Sequence, residues 1–232
     1  MKQNPYLPWL EKVAIALGDL RDRFAFVGGA VVPLYLNDVT TSTIRKTQDI
    51  DCVIEVTSEQ AFRDVERELR ERGFKHDMNT RVICRFLLDE LIVDIMPMES
   101  TIFGFSNKWY KEGFRNKQKY KLPNGLDIII FSLPVFMATK FEAFLGRKEK
   151  DYRFSHDIED IITLLDANTN ILSELNHGPE NVRASLKKYF LKMKESDEFN
   201  EAISCQLGYD EIANQRSVYI IEVIDKYLAS EG

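Results

Sequence analysis

Hydrophobic and polar residues alternate with two different periods along the chain, and these periods predict where helices and strands lie. Apolar residues at every third or fourth position mark one face of an α-helix, whereas short β-branched or alternating runs mark strands. The helical pattern is found over 10–17, 30–36, 58–72, 133–146, 156–167, 179–194 and 214–229. The strand pattern is found over 24–27, 49–56, 81–88, 91–96 and 126–131.

Strands therefore occupy the first part of the chain and helices almost all of the second, an order that predicts an α+β fold. We expect a mixed sheet flanked by helices in 1–131, including an N-terminal helix, and a helical C-terminal part in 132–232. Because no linker-like segment separates them, we expect the two parts to share a core and the active-site cleft. Residues 37–48 are rich in threonine, 103–125 are aromatic and basic, and both are predicted to be irregular.

The composition of the chain argues against several classes of protein. With 232 residues, 44% hydrophobic and 29% charged, the chain is ordinary for a globular protein. Its net charge of -6 excludes a uniformly basic nucleic-acid-binding protein, so any polyanion must bind a local patch. The three cysteines are far apart, which argues against a disulfide scaffold or a structural zinc site. No apolar run could span a bilayer and no signal-peptide pattern opens the chain, so we expect a cytoplasmic protein with no membrane partner.

Two aspartates stand one residue apart at the start of a predicted strand. Asp49 and Asp51, in the sequence TQDID, project from the same face because side chains alternate along a strand. Carboxylates so close repel each other unless one is protonated or a cation lies between them. Mg²⁺, with Mn²⁺ as a possible substitute, prefers such oxygen ligands. The alternative is a solvated strand end with no ligand.

Asp94 is a single acid within the apolar strand IVDIM, and a buried carboxylate needs a partner. If this strand lies beside that of Asp51, three carboxylates converge as in metal-dependent phosphoryl or nucleotidyl transfer. The alternative is a salt bridge to an arginine, for which Arg81 and Arg85 are candidates.

Gly28 and Gly29 join the strand FAFV to the next predicted helix. Glycines let a phosphate approach the backbone, and a helix N-terminus offers free N–H groups. A tight turn with no ligand explains the pair equally well.

Further charged residues recur in the helical part. Lys140 and Arg147 fall on one face of a predicted helix, and Arg147 opens a basic loop that could extend a phosphate site. Asp157 and Asp160 share a face of the next helix. A Lys140–Asp157 salt bridge without catalysis is the alternative explanation.

The segment 108–121, KWYKEGFRNKQKYK, combines basic side chains with aromatic ones. Such a mixture is typical of a surface that binds RNA, with cations for phosphates and rings for base stacking. A solvated loop whose rings pack onto the core is an equal alternative.

Taken together, the order GG, DID and VDIM resembles the nucleotidyltransferase superfamily related to DNA polymerase β, in its AbiEii/MenT-type toxin branch. The blocks FSNKWY at 105–110, ATKFEAF at 138–144 and SHDIEDII at 155–162 are also similar to that branch. The resemblance covers about 20–167. Many superfamily members have Gly-Ser where this chain has Gly28-Gly29, so the serine hydroxyl that would hold a phosphate is missing.

The resemblance implies a metal-dependent enzyme that transfers a nucleotide from an NTP to an acceptor hydroxyl. By position, it implies metal ligation by Asp49, Asp51 and Asp94, with Asp94 as ligand or general base. It further implies that the remaining residues bind the nucleotide or complete the site: Gly28 and Gly29 at the triphosphate, Lys140 at the phosphates and Asp157 as a further acid.

The branch also implies a toxin of a toxin–antitoxin system, acting on the acceptor end of tRNA and paired with an antitoxin protein. The acceptor is left open: a small-molecule hydroxyl and a protein side chain are alternatives within enzymes. A non-catalytic nucleotide-binding or antitoxin-partner module is the alternative outside them.

Overall fold

In the computed structural model, the described residues are 4–37, 44–148 and 150–230. They divide into two compact units. Among the described residues, 4–34 and 46–132 form one, named here the sheet unit. The other, named the helical unit, comprises 35–37, 44–45, 133–148 and 150–230.

The sheet unit is built on a seven-stranded mixed sheet, as the α+β prediction requires. Its strands are β1 (Phe24–Val27), β2 (Asp49–Ile54), β3 (Phe74–His76), β4 (Arg85–Leu88), β5 (Leu91–Pro97), β6 (Lys117–Lys121) and β7 (Asp127–Phe131). Their order across the sheet is β3-β4-β5-β2-β1-β7-β6. The pairs β2–β5 and β1–β7 are parallel, and the other neighbours are antiparallel.

Four α-helices belong to the described part of the sheet unit: α1 (Leu7–Leu17), α2 (Glu59–Glu71), α3 (Ser100–Phe103) and α4 (Tyr110–Arg115). The apolar face predicted for the first helix, from Leu10 to Leu17, is the face that α1 buries. Ser58 precedes α2, and its side chain accepts a hydrogen bond from the Ala61 N–H at 3.2 Å. This N-cap satisfies one of the free N–H groups of the first turn.

The helical unit contains α5 (Leu133–Gly146), α6 (His156–Ala167), α7 (Ile171–Asn176), α8 (Glu180–Lys194), α9 (Asp197–Leu207) and α10 (Glu211–Ala229). Its core contains fully buried aromatic rings, among them Phe136, Phe190 and Tyr227. Edge-to-face contacts join Phe190 to Tyr227 and to Phe141. Within the described ranges, no helix is both long enough and apolar enough to cross a membrane.

Several predicted elements differ in the structure. The helix predicted over 30–36 is a 3₁₀ helix, Gly29–Tyr35, with Pro33 inside it. Proline lacks the N–H that an α-helical ladder needs, which explains the change. The strand predicted from Arg81 begins only at Arg85. Of the loop predicted over 37–48, residues 38–43 lie outside the described residues.

The prediction that 103–125 is irregular is wrong, because α4 and β6 lie within it. Helix α4 has six residues, too few for a helical period to be recognised. Strand β6 is an edge strand with four of its five residues exposed, so it lacks the alternation that marks a half-buried strand. Short elements β3, α3 and α7, together with α9, also have no counterpart in the predicted set.

Candidate metal centre

Strand register brings three carboxylates together in the sheet unit. Parallel pairing of β2 and β5 sets Asp51 directly opposite Asp94. Asp49 lies two residues before Asp51 and therefore shares its face. One oxygen from each of these three side chains lies within 4.8 Å of the others. The two strands are therefore neighbours, and the three carboxylates converge as expected from the sequence for that case.

Arg85 reaches the same group from the adjoining strand. Antiparallel pairing sets Arg85 opposite Asp94, and its Nε and Nη2 donate to the two Asp94 oxygens at 2.8 and 2.7 Å. The same guanidinium is 3.7 Å from an Asp49 oxygen. The salt bridge considered as an alternative for Asp94 is thus formed, with Arg85 as the partner. The hydrogen bonds to Asp94 raise the pKa of Arg85 further above its ordinary value.

The salt bridge and a metal site do not exclude each other. Each ionised carboxylate offers about four lone-pair sites, and Arg85 uses two of those on Asp94. Asp94 therefore keeps acceptor sites that Arg85 does not use.

Asp49 is oriented by the residues before it. The Thr47 hydroxyl donates to an Asp49 oxygen at 2.8 Å, and the Thr47 N–H donates to the Tyr6 hydroxyl at 2.9 Å. Tyr6 is itself buried. A buried anchor therefore fixes the chain where it enters β2, and with it the position of the first carboxylate.

Gly28 follows β1 with a φ of 75° and lies against Asp51. A Cβ atom at this position would lie 1.9 Å from Asp51 Oδ2, well inside contact distance. Any side chain here would displace the carboxylate. Room for Asp51 thus explains Gly28, while a phosphate-binding role for Gly28 and Gly29 stays a prediction. The helix expected to present its N-terminus after them is the 3₁₀ helix.

Two buried thiols lie in the negative field of the carboxylates. Burial, with the charges of Asp51 and Asp94, raises the pKa of Cys52 well above its ordinary value. Burial and the charge of Asp94 raise the pKa of Cys84 to about 11. Burial is the larger cause of both shifts, and the nearby carboxylate charges add to it.

The donor set fits Mg²⁺. Three carboxylates supply hard oxygen ligands from two adjacent strands, and Mg²⁺ usually takes few ligands from protein and the rest from water or phosphate. Asp49 is more exposed than Asp94, with 29% against 12% of its side chain accessible, so the group is open on the Asp49 side.

The helical unit holds a second charged cluster. Lys140 Nζ donates to Asp160 Oδ2 at 2.6 Å and lies 3.8 Å from Asp157 Oδ1. Arg45 donates to both Asp160 oxygens at 3.2 and 3.3 Å. Arg147 donates to Asp157 at 2.7 Å. The salt bridge considered as an alternative for Lys140 is present, with Asp160 as the closer partner.

Charge compensation keeps Asp160 ionised. Burial alone would raise the pKa of Asp160, but the positive charges of Lys140 and Arg45 outweigh burial and hold the pKa below its ordinary value. Asp160 is therefore an ionised, almost fully buried carboxylate. The roles expected for Lys140, Arg147 and Asp157 at a nucleotide stay predictions.

Three of the four aromatic rings of the segment 108–121 face the interior, and the fourth, Tyr120, is half-buried. Trp109, Tyr110 and Phe114 are all buried, so their rings pack in the interior as the alternative proposed. Several of its cations also have carboxylate partners: Lys111 with Glu99 at 2.8 Å, Arg115 with Glu112 at 3.4 Å and Lys117 with Glu55 at 3.4 Å. Base stacking by these three rings is therefore excluded, and RNA binding by the segment's lysines remains a prediction.

Four residues of these clusters were not expected at the site. Arg85 was only an alternative partner and Asp160 only a face neighbour, while Thr47 and Arg45 carried no signal beyond their nearness to Asp49. The pairing of Arg85 follows from the β4–β5 hairpin: with Asp89-Glu90 as the turn, Arg85 must face Asp94.

No known protein family matches the chain, and no curated protein is significantly similar to it.

Proposed function

We propose that this protein is a Mg²⁺-dependent nucleotidyltransferase that moves a nucleotide from an NTP to an acceptor hydroxyl. The observation that carries the proposal is the register of β2 and β5, which aligns Asp51 with Asp94 and gathers three carboxylates on one face. Mg²⁺ bound there would supply the positive charge that offsets the triphosphate and the leaving pyrophosphate.

In this proposal, residues of the sheet unit have different roles in metal binding and proton transfer. Asp49, held by Thr47, and Asp51, accommodated by Gly28, are the metal ligands. Asp94 serves as the third ligand or as the base that takes the proton of the acceptor hydroxyl. Because Arg85 occupies only part of its acceptor capacity, Asp94 retains lone pairs for either task.

The acceptor class follows from the resemblance of the sequence to the toxin branch. In this proposal the protein acts in the cytoplasm on an RNA acceptor such as tRNA, and an antitoxin protein restrains it. Lys140, Arg147 and Asp157 contribute to nucleotide binding. Lys140 and Arg147 would then have to exchange carboxylate contacts for phosphate oxygens.

Incubation with each labelled NTP, Mg²⁺ and total RNA tests the proposal. The wild-type protein should label RNA, and Asp51→Asn should lose more than about 99% of the transfer rate, since a metal ligand is removed. Asp64→Asn is the matched control, because Asp64 is an exposed carboxylate on α2, and it should retain full activity.

The same assay distinguishes RNA from other classes of acceptor. Label in protein or in a small molecule instead of RNA would support the corresponding alternative acceptor. Absence of transfer to any acceptor, together with NTP binding by calorimetry, would favour the non-catalytic module. The ion pairing of Arg85 is the observation that favours this second candidate, because it partly neutralises the carboxylates without a metal. Absence of both transfer and NTP binding contradicts both.

A further inference from the structure

We infer that Arg85 is a built-in counter-cation of the carboxylate group, one that positions Asp94 before metal binding and weakens the metal affinity of the site. This inference rests on the proposed function, because it concerns the same three carboxylates. Arg85 acts through Asp94 and Asp49 and is therefore a positioning residue.

The geometry of the contact between Arg85 and Asp94 is the basis for the positioning role. A planar guanidinium that donates two hydrogen bonds to one carboxylate fixes both the distance and the orientation of that carboxylate. Arg85 makes this contact with Asp94 at 2.7 and 2.8 Å from the directly opposite position on β4. With 23% of its side chain exposed, Arg85 is not a freely rotating surface residue.

The positive charge of Arg85 is the basis for its second role, which is to weaken metal binding. Carboxylate oxygens within 4.8 Å of one another repel, and a nearby cation offsets that repulsion. Arg85 lies within ion-pair distance of both Asp94 and Asp49. A divalent ion bound by the same carboxylates experiences the guanidinium as a like charge. Arg85 therefore favours the converged arrangement and opposes metal binding at the same time.

The two roles predict that removing the positive charge of Arg85 lowers the stability of the metal-free protein and strengthens metal binding. In Arg85→Gln the carboxylates lose their counter-cation, so the metal-free protein should melt roughly 5 °C lower. The dissociation constant for Mn²⁺ should fall by about tenfold, the low end of the effect of one charge at this range. Mn²⁺ should consequently raise Tm more in this variant than in the wild type.

Two variants separate charge from geometry. Arg85→Lys keeps the positive charge but loses the bidentate contact, so it should lower Tm while leaving Mn²⁺ affinity close to that of the wild type. Arg81→Gln removes an equal charge from an exposed position four residues earlier and should change neither quantity.

Mn²⁺ titration by calorimetry and thermal melts with and without Mn²⁺ provide the measurements. Equal Mn²⁺ affinity in wild type and Arg85→Gln overturns this inference and leaves the metal site intact. No Mn²⁺ binding in any variant overturns the metal site as well. Should Arg85→Gln fail to fold alone, millimolar Mn²⁺ is expected to restore folding, and failure to do so contradicts the counter-cation role.

Discussion

Gly28 and Asp51 share a small volume where β1 ends, and this contact shows how a single residue type can be dictated by a neighbouring side chain. Gly28 has a left-handed φ of 75°, and its missing Cβ would lie 1.9 Å from the Asp51 carboxylate. Two independent constraints therefore select glycine here. A glycine that the sequence suggests for phosphate binding can therefore be required by the packing of a neighbouring aspartate instead.

Gly28→Ala should lower the free energy of unfolding by roughly 3 kcal/mol, because it adds backbone strain and a clash with Asp51. Gly125→Ala is the matched control: Gly125 has a φ of 87°, but a Cβ there would meet nothing within 4 Å. We expect it to cost only about 1 kcal/mol. Urea titrations of both variants measure the difference, and equal losses would show that the Asp51 contact contributes nothing.

The cysteines should differ in reactivity. Burial and nearby negative charge raise the pKa of Cys84 to about 11 and that of Cys52 well above its ordinary value, whereas Cys205 is exposed. Since the thiolate is the reactive form, iodoacetamide at pH 8 should alkylate Cys205 alone in the folded protein. Peptide mass spectrometry locates the label. Rapid labelling of Cys84 at this pH would contradict its burial and its raised pKa.

At the scale of elements, the sequence predicts the long helices and the buried strands and says much less about which strands are neighbours. Period-two alternation places Asp49 and Asp51 on one face, and a hairpin turn places Arg85 opposite Asp94. The parallel pairing of β2 with β5 depends instead on tertiary packing, because the paired residues Asp51 and Asp94 are 43 positions apart in the chain.

Short elements were missed for a physical reason. Strand β6 is exposed and helix α4 has six residues, so neither contains enough buried positions to show a period. The burial of Trp109 and Phe114 likewise depends on what packs against them rather than on local pattern. The residues of the candidate metal centre could thus be named from the sequence, whereas their convergence could not.

Lys140 of α5 is buried and forms ion pairs with two carboxylates of α6, Asp157 and Asp160. Lys140→Met should lower the free energy of unfolding by about 3 kcal/mol at pH 7, because it leaves Asp160 with only part of its charge compensation. Lys188→Met, at an exposed position on α8, is the control and should leave stability unchanged. An unchanged Lys140→Met variant would show that the ion pairs are energetically neutral.

The pH dependence of the same variant follows from the sign of the Asp160 shift. Because Lys140 and Arg45 hold the pKa of Asp160 below its ordinary value, this carboxyl stabilises the wild type above about pH 4. That contribution is lost as the pH falls through the lowered pKa. The stability difference between wild type and Lys140→Met should therefore shrink on acidification from pH 7 towards pH 3, as followed by urea titration. A difference that is constant with pH would contradict the ionised state of Asp160.

At the scale of the whole molecule, the helical unit is not one continuous piece of chain. Tyr35 stacks on Phe136 with ring centroids 4.7 Å apart, and its carbonyl accepts a hydrogen bond from the Asn168 side chain at 2.9 Å. Arg45 forms ion pairs with Asp160. Residues from early in the sequence therefore complete a unit made mostly of residues beyond Ser132.

A fragment comprising 133–232 should consequently be less stable than the same unit in the full chain. It lacks the Tyr35 ring and carbonyl and the Arg45 charge that the unit buries, so we expect its helical circular dichroism to melt at least about 10 °C lower. Addition of a separately produced 1–132 fragment, which carries these residues, should restore part of the loss. Equal melting of the fragment and the full chain would contradict the account of this unit.

We propose that Asp49, Asp51 and Asp94 together bind a divalent metal ion, and anomalous diffraction from a crystal soaked in Mn²⁺ can detect that ion at its site. We predict an anomalous peak among the three carboxylates, at about 2.1 Å from an oxygen of at least two of them. Arg85 should then be shifted away from Asp49. A crystal at millimolar Mn²⁺ with no peak at this position, and with Arg85 still bound to Asp94 and near Asp49, would contradict the claim.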